Sequence, residues 1–163
     1  MKAKELLSLW LYRVLWWFVL PLIMLRNVKR SRQAPEYRKN WWHRLGWAPC
    51  NQSSPLWIHA VSVGETSVAI PLVKQIKELN PDLAIVVTTM TPTGAARVNA
   101  ELNDLVEHIY APYDHDLAVE IFMNRVSPRA LIMIETEIWP NWVLACQRKG
   151  VPVALVIVSV AVA

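Results

Sequence analysis

The sequence predicts an α/β protein with a parallel, doubly wound sheet, preceded by one hydrophobic helix. From residue 56 onward, apolar stretches of strand length alternate with amphipathic stretches of helix length. The predicted strands are short and mainly apolar runs rather than alternations of apolar and polar residues, which is typical of strands that helices cover on both faces. The apolar stretch 6–25 has about the length that a helix needs to cross a bilayer.

Five strands and four intervening helices make up the predicted sheet. The strands are Leu56–Val61, Leu83–Thr89, Glu107–Ala111, Ala130–Ile134 and Val151–Val158. The helices are Thr66–Leu79, Pro92–Leu102, Asp116–Val126 and Pro140–Lys149. Capping residues support these bounds, because Asp114 is placed to cap the third helix and Gly150 follows the fourth. Five strands joined by four helical crossovers form a doubly wound sheet.

The N-terminal hydrophobic stretch is compatible with two membrane arrangements. Hydrophobic residues make up 54% of the chain and the mean hydropathy is +0.24, both high for a soluble domain. Arg13 lies inside the stretch, and an arginine at the centre of a spanning helix costs roughly 2.5–3.5 kcal/mol. Trp10, Trp16 and Trp17 crowd one half, as in a helix that lies in the interface. The sequence leaves both arrangements open.

Positive charge is concentrated directly after this stretch. Residues 1–44 carry ten Lys and Arg against two Glu, whereas residues 45–163 carry seven against eleven Asp and Glu. The positive flank predicts that the rest of the chain lies on the cytoplasmic side, and it favours anionic lipid over nucleic acid as a partner. A simpler interpretation is a stop-transfer flank without a specific ligand.

The two cysteines, Cys50 and Cys146, have no zinc-ligand spacing. We therefore expect a reducing compartment, no disulfide and no structural metal site. The chain divides into an anchor helix with its basic flank (1–30), a linker or helical segment (31–55) and an α/β domain (56–163).

Ligands of doubly wound sheets bind at the carboxyl ends of the strands, which directs attention to three loops. In the first, after strand one, Ser62 and Gly64 precede Glu65. Gly64 is expected to permit a tight turn, with Glu65 just ahead of a helix. Glu65 either complements the helix dipole, worth up to about 1 kcal/mol, or acts as a general base, worth roughly 10²–10⁴ in rate. Position alone does not choose between them.

The second loop, after strand two, carries hydroxyl groups ahead of a helix. Thr91, Thr93 and Gly94 lie at the helix start, and Arg97 follows in its first turns. Such a helix start is suited to an anion, although Thr91 before Pro92 is also an ordinary N-cap. Neither a GxxxxGK[ST] nor a GxGxxG motif occurs, so nucleotide binding by this part of the chain is unsupported.

The third loop, after strand four, contains Glu135 and Glu137. Two carboxylates at the end of a buried strand are hard to explain as solvated surface, and Glu135 is the better functional candidate. Glu137 can instead complement the helix dipole ahead of Pro140. His59 and His108 are expected to be structural.

Several motifs together resemble the 3-deoxy-D-manno-octulosonic acid (Kdo) transferases. They are QAPEYRKNWWHRLGW at 33–47, HAVSVGE at 59–65, VVTTMTPTGAARV at 86–98, YAPYD at 110–114 and IETEIWPNW at 134–142. Their order and spacing match the family over about residues 6 to 156. Enzymes of this family transfer Kdo from CMP-Kdo to the lipid A precursor, lipid IV(A).

The resemblance implies the N-terminal domain of a GT-B glycosyltransferase, a fold of two Rossmann-like domains. It implies an inverting reaction without metal or cofactor, in which CMP-Kdo is the donor substrate and binds the C-terminal domain. It also implies a bacterial inner-membrane protein whose globular part lies on the cytoplasmic face, with the lipid A precursor and membrane lipid as partners and no nucleic acid.

Roles for individual residues follow from the same resemblance. Glu65 matches the general base and Glu135 the glutamate that supports the transition state. The residues expected on the acceptor side are Ser62, Gly64, Thr91, Thr93, Gly94, Arg97 and Glu137. The phosphates of the acceptor would suit the basic stretch between residues 26 and 44.

The resemblance ends near residue 156, and the last residues, IVSVAVA at 157–163, depart from it. We expect the donor domain to be absent and this polypeptide alone to be inactive. Two alternatives remain open: a non-catalytic, membrane-tethered α/β module, and a glycosyltransferase for another sugar.

Overall fold

The computed structural model describes residues 3–31, 36, 40–134 and 139–157, with side chains from residue 7 onward. Its elements, in chain order, are α1 (Ala3–Arg30), a 3-10 segment (Trp41–Leu45), β1 (Leu56–Ala60), α2 (Val63–Leu79), β2 (Ile85–Thr89), α3 (Pro92–Leu102), β3 (Glu107–Tyr110), α4 (Asp116–Val126), β4 (Ala130–Ile134), α5 (Pro140–Arg148) and β5 (Val153–Val156).

The five strands form one sheet in the order β3-β2-β1-β4-β5, and every neighbouring pair is parallel. The predicted doubly wound, Rossmann-like architecture is therefore confirmed. Several predicted bounds were wrong; strand β2, for example, begins at Ile85 rather than Leu83. Helix α2 begins at Val63 rather than Thr66 because Ser62 is its N-cap, and β5 covers four residues, starting at Val153 rather than Val151.

The central strand β1 explains why the strands read as continuous apolar runs. All five of its residues are buried. Trp57 packs with Phe122 and Trp142 on the α4–α5 side, whereas Ile58 packs with Val73 and Val98 on the α2–α3 side. Helices cover both faces of the sheet, so alternation with polar residues would place polar groups in one of the two cores.

Helix α1 runs along the α/β domain. The Tyr12 hydroxyl donates to Asp114 Oδ2 at 2.6 Å, and fifteen residues later Asn27 Nδ2 donates to the Tyr113 hydroxyl at 2.6 Å. At a rise of about 1.5 Å per residue, these contacts are roughly 22 Å apart along the helix. The segment Leu7–Arg30, with a mean hydropathy of 1.6, is long and apolar enough to cross a membrane by length and composition alone.

Asp114 caps α5, and the prediction that it caps α4 was wrong. The N-cap of α4 is His115. Asp114 Oδ2 and Oδ1 instead accept from the backbone N–H groups of Asn141 and Trp142, at 3.2 and 3.1 Å. The loop after β3 brings the carboxylate to the start of α5, where the N-cap residue Trp139 makes no capping hydrogen bond of its own. Burial raises the pKa of Asp114 to about 6, although its hydrogen bonds favour the ionised form.

Replacing Asp114 with alanine is expected to lower the free energy of unfolding by about 2–3 kcal/mol. The substitution leaves the amides of Asn141 and Trp142 and the hydroxyl of Tyr12 without their acceptor. Urea denaturation in detergent micelles, followed by circular dichroism, measures the change. The matched control is Asp104→Ala, at an exposed aspartate, with an expected change within about 0.5 kcal/mol.

The Asp114 effect should also depend on pH. An aspartate has a pKa of roughly 3.9 in an unfolded chain, and folding raises that of Asp114 to about 6. A pKa raised on folding gives a contribution that is complete at low pH and declines as pH rises through the folded value. The wild-type advantage over Asp114→Ala is therefore expected to be larger at pH 4.5 than at pH 8. An equal or larger advantage at pH 8 would contradict the raised pKa.

Candidate functional site

The carboxyl ends of β1 and β4 meet at the topological switch point of the sheet. The connection after β1 leads to β2 on one side of the sheet, and the connection after β4 leads to β5 on the other. Ala60 and Ile134, the last residues of these strands, are paired in register. Crevices at such a switch point are the usual ligand sites of doubly wound sheets.

Glu65 is the third residue of α2 and forms a capping box with Ser62. Its Oε2 accepts from the Ser62 backbone N–H at 3.0 Å and from the Ser62 hydroxyl at 2.6 Å. The side chain is partly exposed. Partial burial alone would raise the pKa of Glu65, but the hydrogen bonds from Ser62 outweigh it and hold the pKa below its ordinary value. The carboxylate is thus ionised and reachable from solvent.

The expected tight turn at Gly64 is not present, because α2 already begins at Val63. Gly64 lies in the first helical turn, and positive φ among the described glycines is confined to Gly46 and Gly150. A Cβ at Gly64 would meet nothing within 4 Å. The surface beside Glu65 is therefore open rather than packed.

The second predicted loop packs directly against the first. The Met90 N–H donates to Val61 O at 2.9 Å, and a Cβ at Gly94 would lie 3.4 Å from the carbonyl carbon of Ser62. Thr91 Oγ1 accepts from the Gly94 N–H at 3.1 Å, so the N-cap interpretation of Thr91 is confirmed. The Thr93 hydroxyl donates to Thr91 Oγ1 at 3.3 Å. Ser62, Gly64, Glu65, Thr91, Thr93 and Gly94 thus share one edge of the sheet.

Of the remaining three predicted site residues, Arg97 alone lies within the described part of the chain, and it is not placed with this group. Arg97 lies on the outer surface between α2 and α3, where it donates to Ser67 Oγ at 2.8 Å and to Glu101 Oε1 at 3.2 Å. Glu135 and Glu137 lie outside the described residues. The roles of all three stay predictions.

Two aromatic residues and helix α1 also belong to the site, which the residue patterns did not reveal. A cavity of about 300 Å³ beside Thr91 is lined by Tyr113, Trp139 and three arginines: Arg26, Arg30 and Arg44. Tyr113 and Trp139 occur within family-like motifs but carry no reactive group. Their place in the YAPYD and IWPNW motifs could have identified them as site residues, but the chemistry of their side chains alone did not.

Arg44 is a buried cation at the centre of this arrangement. Its Nη2 donates to Met90 O at 3.0 Å, and its guanidinium lies 4.5 Å from the centroid of the Tyr110 ring and 5.9 Å from that of Tyr113. A guanidinium stays charged under all physiological conditions. Arg44 therefore brings a positive charge to the loop that carries Thr91.

His59 is a core residue, as predicted. It is fully buried, and burial lowers its pKa to about 3. Its Nδ1 lies 2.8 Å from Thr88 Oγ1, whereas its Nε2 has no hydrogen-bond partner among the described residues. Cys50 and Cys146 are free thiols. Within the described ranges, no three His, Cys, Asp or Glu side chains are grouped to hold a metal ion.

Comparison with known proteins gives a consistent result. The family model of the 3-deoxy-D-manno-octulosonic-acid transferase (kdotransferase) matches residues 39–158. The chain is 39% identical over 135 residues to the 3-deoxy-D-manno-octulosonic acid transferase of Haemophilus influenzae, a match over 81% of this chain and 32% of that protein. It is 37% identical over 114 residues to the transferase of the same name from Bordetella pertussis, over 67% of this chain and 26% of that protein.

These matches confirm the resemblance seen in the motifs. The chain spans about a third or less of the length of either relative. On the family match and the identity to these relatives, the chain belongs to the 3-deoxy-D-manno-octulosonic acid transferase family.

Proposed function

We propose that this chain is the acceptor-side part of a glycosyltransferase of lipopolysaccharide biosynthesis, which moves Kdo from CMP-Kdo to lipid IV(A). The observation that carries the proposal is the ionised, partly exposed carboxylate of Glu65 at the switch point of the sheet. Family membership supports Kdo as the transferred sugar. Lipid IV(A) and CMP-Kdo are the substrates that the family resemblance implies.

In the proposed reaction, Glu65 accepts the proton of an acceptor hydroxyl. The hydroxyl oxygen bonds to the anomeric carbon of Kdo, the bond from that carbon to the phosphate oxygen of CMP breaks, and CMP leaves with the bonding electrons. A carboxylate with a low pKa is a weak base toward a free alcohol. Proton transfer to Glu65 therefore accompanies carbon–oxygen bond formation, as the hydroxyl becomes acidic. Attack from the face opposite CMP inverts the anomeric carbon, and neither a metal nor a cofactor takes part.

The other predicted residues have supporting roles in this proposal. Glu135 stabilises positive charge on the sugar in the transition state, and Glu137 and Arg97 contribute to the acceptor side. The remaining acceptor-side residues share one edge with Glu65: Ser62, Gly64, Thr91, Thr93 and Gly94.

We further propose that the domain lies on the cytoplasmic face of the inner membrane. Hydrophobic side chains of α1, among them Trp10, Phe18, Leu22 and Leu25, are more than half exposed. The same helix contacts the domain from Tyr12 to Asn27. An apolar outer face on a helix held against a globular domain supports an interfacial anchor over a helix that leaves the domain to cross the bilayer.

The central test compares the chain alone with the chain joined to the remaining two thirds of the Haemophilus influenzae relative. We expect transfer of labelled Kdo from CMP-Kdo to lipid IV(A) only by the joined protein, because donor binding is assigned to the part beyond this chain. The complete relative is the positive control. Transfer by residues 1–163 alone would contradict the division of roles. A folded joined protein that binds lipid IV(A) but transfers nothing would contradict the enzymatic function.

One observation favours a second candidate, a non-catalytic membrane-tethered module. The capping box accounts for the position of Glu65 without any reaction, since capping satisfies the Ser62 amide. In that case Glu65 contributes only to the start of α2. Kinetics of a Glu65 variant separates the two candidates.

A further inference from the structure

Two neighbouring cavities, here together called the trough, lie between α1 and the rest of the molecule and share three lining residues. One, the apolar compartment, has about 370 Å³ and is lined by Met24, Val28, Trp41, Trp42 and Leu45. The other, the cationic compartment, has about 300 Å³ and includes Arg26, Arg30, Thr91 and Trp139. Asn27, Arg44 and Tyr113 line both. Together the compartments have the volume of an ordinary ligand site.

The cationic compartment is suited to a phosphate group. Arg26 and Arg30 are four residues apart on α1 and so project from the same face, toward a cavity that Arg44 also lines. None of the described residues that line this cavity is acidic. A guanidinium matches phosphate oxygens with two parallel hydrogen bonds.

The apolar compartment is suited to a hydrocarbon chain. Trp41 and Trp42 are each 45% exposed, with ring centroids 6.3 Å apart, and face the α1 side chains Met24 and Val28 across the cavity. Exposed apolar surface of this kind on α1, including Leu25, continues toward the proposed membrane interface. A chain entering from the bilayer would exchange one apolar environment for another.

The cationic compartment borders the sheet edge that carries Glu65. Thr91 lines the cationic compartment and accepts from Gly94, which packs on Ser62, and Ser62 in turn bonds Glu65. The cationic compartment and the Glu65 carboxylate are therefore connected through three neighbouring residues of the two loops.

We propose that the trough binds one phosphorylated, acylated glycolipid, with a phosphate in the cationic compartment and an acyl chain in the apolar compartment. The identity of this lipid rests on the proposed function. The trough adds to that function a binding site for the acceptor. The positive charge of Arg26, Arg30 and Arg44 favours a phosphorylated lipid over a neutral one, and the adjoining apolar cavity favours an acylated one.

The test measures the dissociation constant of lipid IV(A) for the full 163-residue chain in neutral detergent micelles. Arg26→Gln and Arg30→Gln are each compared with Lys29→Gln, which removes the same charge from the same helix but lines neither compartment. We expect each arginine variant to weaken binding about tenfold, as for loss of hydrogen bonds to a charged group, and Lys29→Gln by less than about twofold. Circular dichroism of all three verifies equal folding.

The apolar compartment is tested with a pair of tryptophan variants. Trp42→Ala is expected to weaken lipid IV(A) binding about tenfold, as for loss of one large buried contact, and Trp47→Ala by less than about twofold. Trp47 is 56% exposed, contacts Arg125 and lines neither compartment. Equal losses in the two variants would overturn the acyl site.

Two results would overturn the phosphate site. One is equal weakening by Arg26→Gln, Arg30→Gln and Lys29→Gln, which is expected of general surface attraction. The other is binding of phosphatidylglycerol as tight as that of lipid IV(A), which indicates any anionic lipid. Tight binding that is lost after enzymatic removal of the phosphates supports the site. These binding measurements need no donor, so they test the trough separately from the enzymatic function. If the variants leave lipid IV(A) binding unchanged while the joined protein transfers Kdo, only the trough proposal is refuted. If the trough binds lipid IV(A) but the joined protein transfers no Kdo, only the enzymatic function is refuted.

Discussion

Glu65→Gln in the joined protein is expected to lower kcat for Kdo transfer by about 10²–10⁴ while leaving the fold intact. Glutamine at this helix position is compatible with a capping box, so the Ser62 amide keeps an acceptor and α2 still begins at Val63. The amide cannot take a proton from the acceptor hydroxyl. Steady-state kinetics with CMP-Kdo and lipid IV(A), together with thermal unfolding, measure both effects.

The matched control for Glu65→Gln is Glu78→Gln, at an exposed glutamate near the C-terminal end of the same helix, α2. We expect kcat to be unchanged there, with a stability loss of at most about 1 kcal/mol. Unchanged kcat in Glu65→Gln would leave Glu65 as a helix cap and favour the non-catalytic module.

The lowered pKa of Glu65 leads to a second expectation for the joined protein. As the pH is lowered, its activity should decline only below the ordinary pKa of a glutamate.

Local patterns were sufficient to predict the sheet. Runs such as 85–87 and 130–134 are apolar because both of their faces are covered, and this property is visible in a single segment. The parallel topology then places the ends of β1 and β2 at one edge. That is why Glu65 and Thr91 could be expected close together before any contact between their loops was seen.

Predictions failed where a side chain bonds a partner distant in the sequence. Asp114 stands two residues before α4, so spacing assigned it to that helix, yet its partners are Tyr12 and the start of α5. The trough was not predicted for the same reason. Arg26 and Arg44 were recognised only as part of a basic stretch, because no periodicity in a sequence indicates that α1 folds back along Tyr113.

Gly46→Ala is expected to lower the free energy of unfolding by about 3 kcal/mol or more. Gly46 has φ +89°, and a Cβ there would come within 3.0 Å of Ala118 O, Ile121 Cβ and Phe122 N. Two of these atoms belong to the backbone of α4, so they cannot move without displacing the helix. The left-handed conformation contributes roughly 1–2 kcal/mol for a residue with a side chain, and overpacking typically another 1–3 kcal/mol.

Gly150→Ala is the control that separates these two contributions. Gly150 also has positive φ, +67°, but a Cβ there would meet nothing within 4 Å, so only the conformational cost of roughly 1–2 kcal/mol is expected. The difference between the two variants in urea denaturation is then the cost of the close approach to α4.

Gly46 also ends the 3-10 segment, where its N–H donates to His43 O at 2.9 Å, and that segment carries Trp42 and Arg44 of the trough. If Gly46→Ala relieves the clash by moving the segment away from α4, lipid IV(A) binding should weaken in Gly46→Ala and not in Gly150→Ala. Equal destabilisation by the two substitutions would show that Gly46 is required for its backbone conformation and not for its contact with α4.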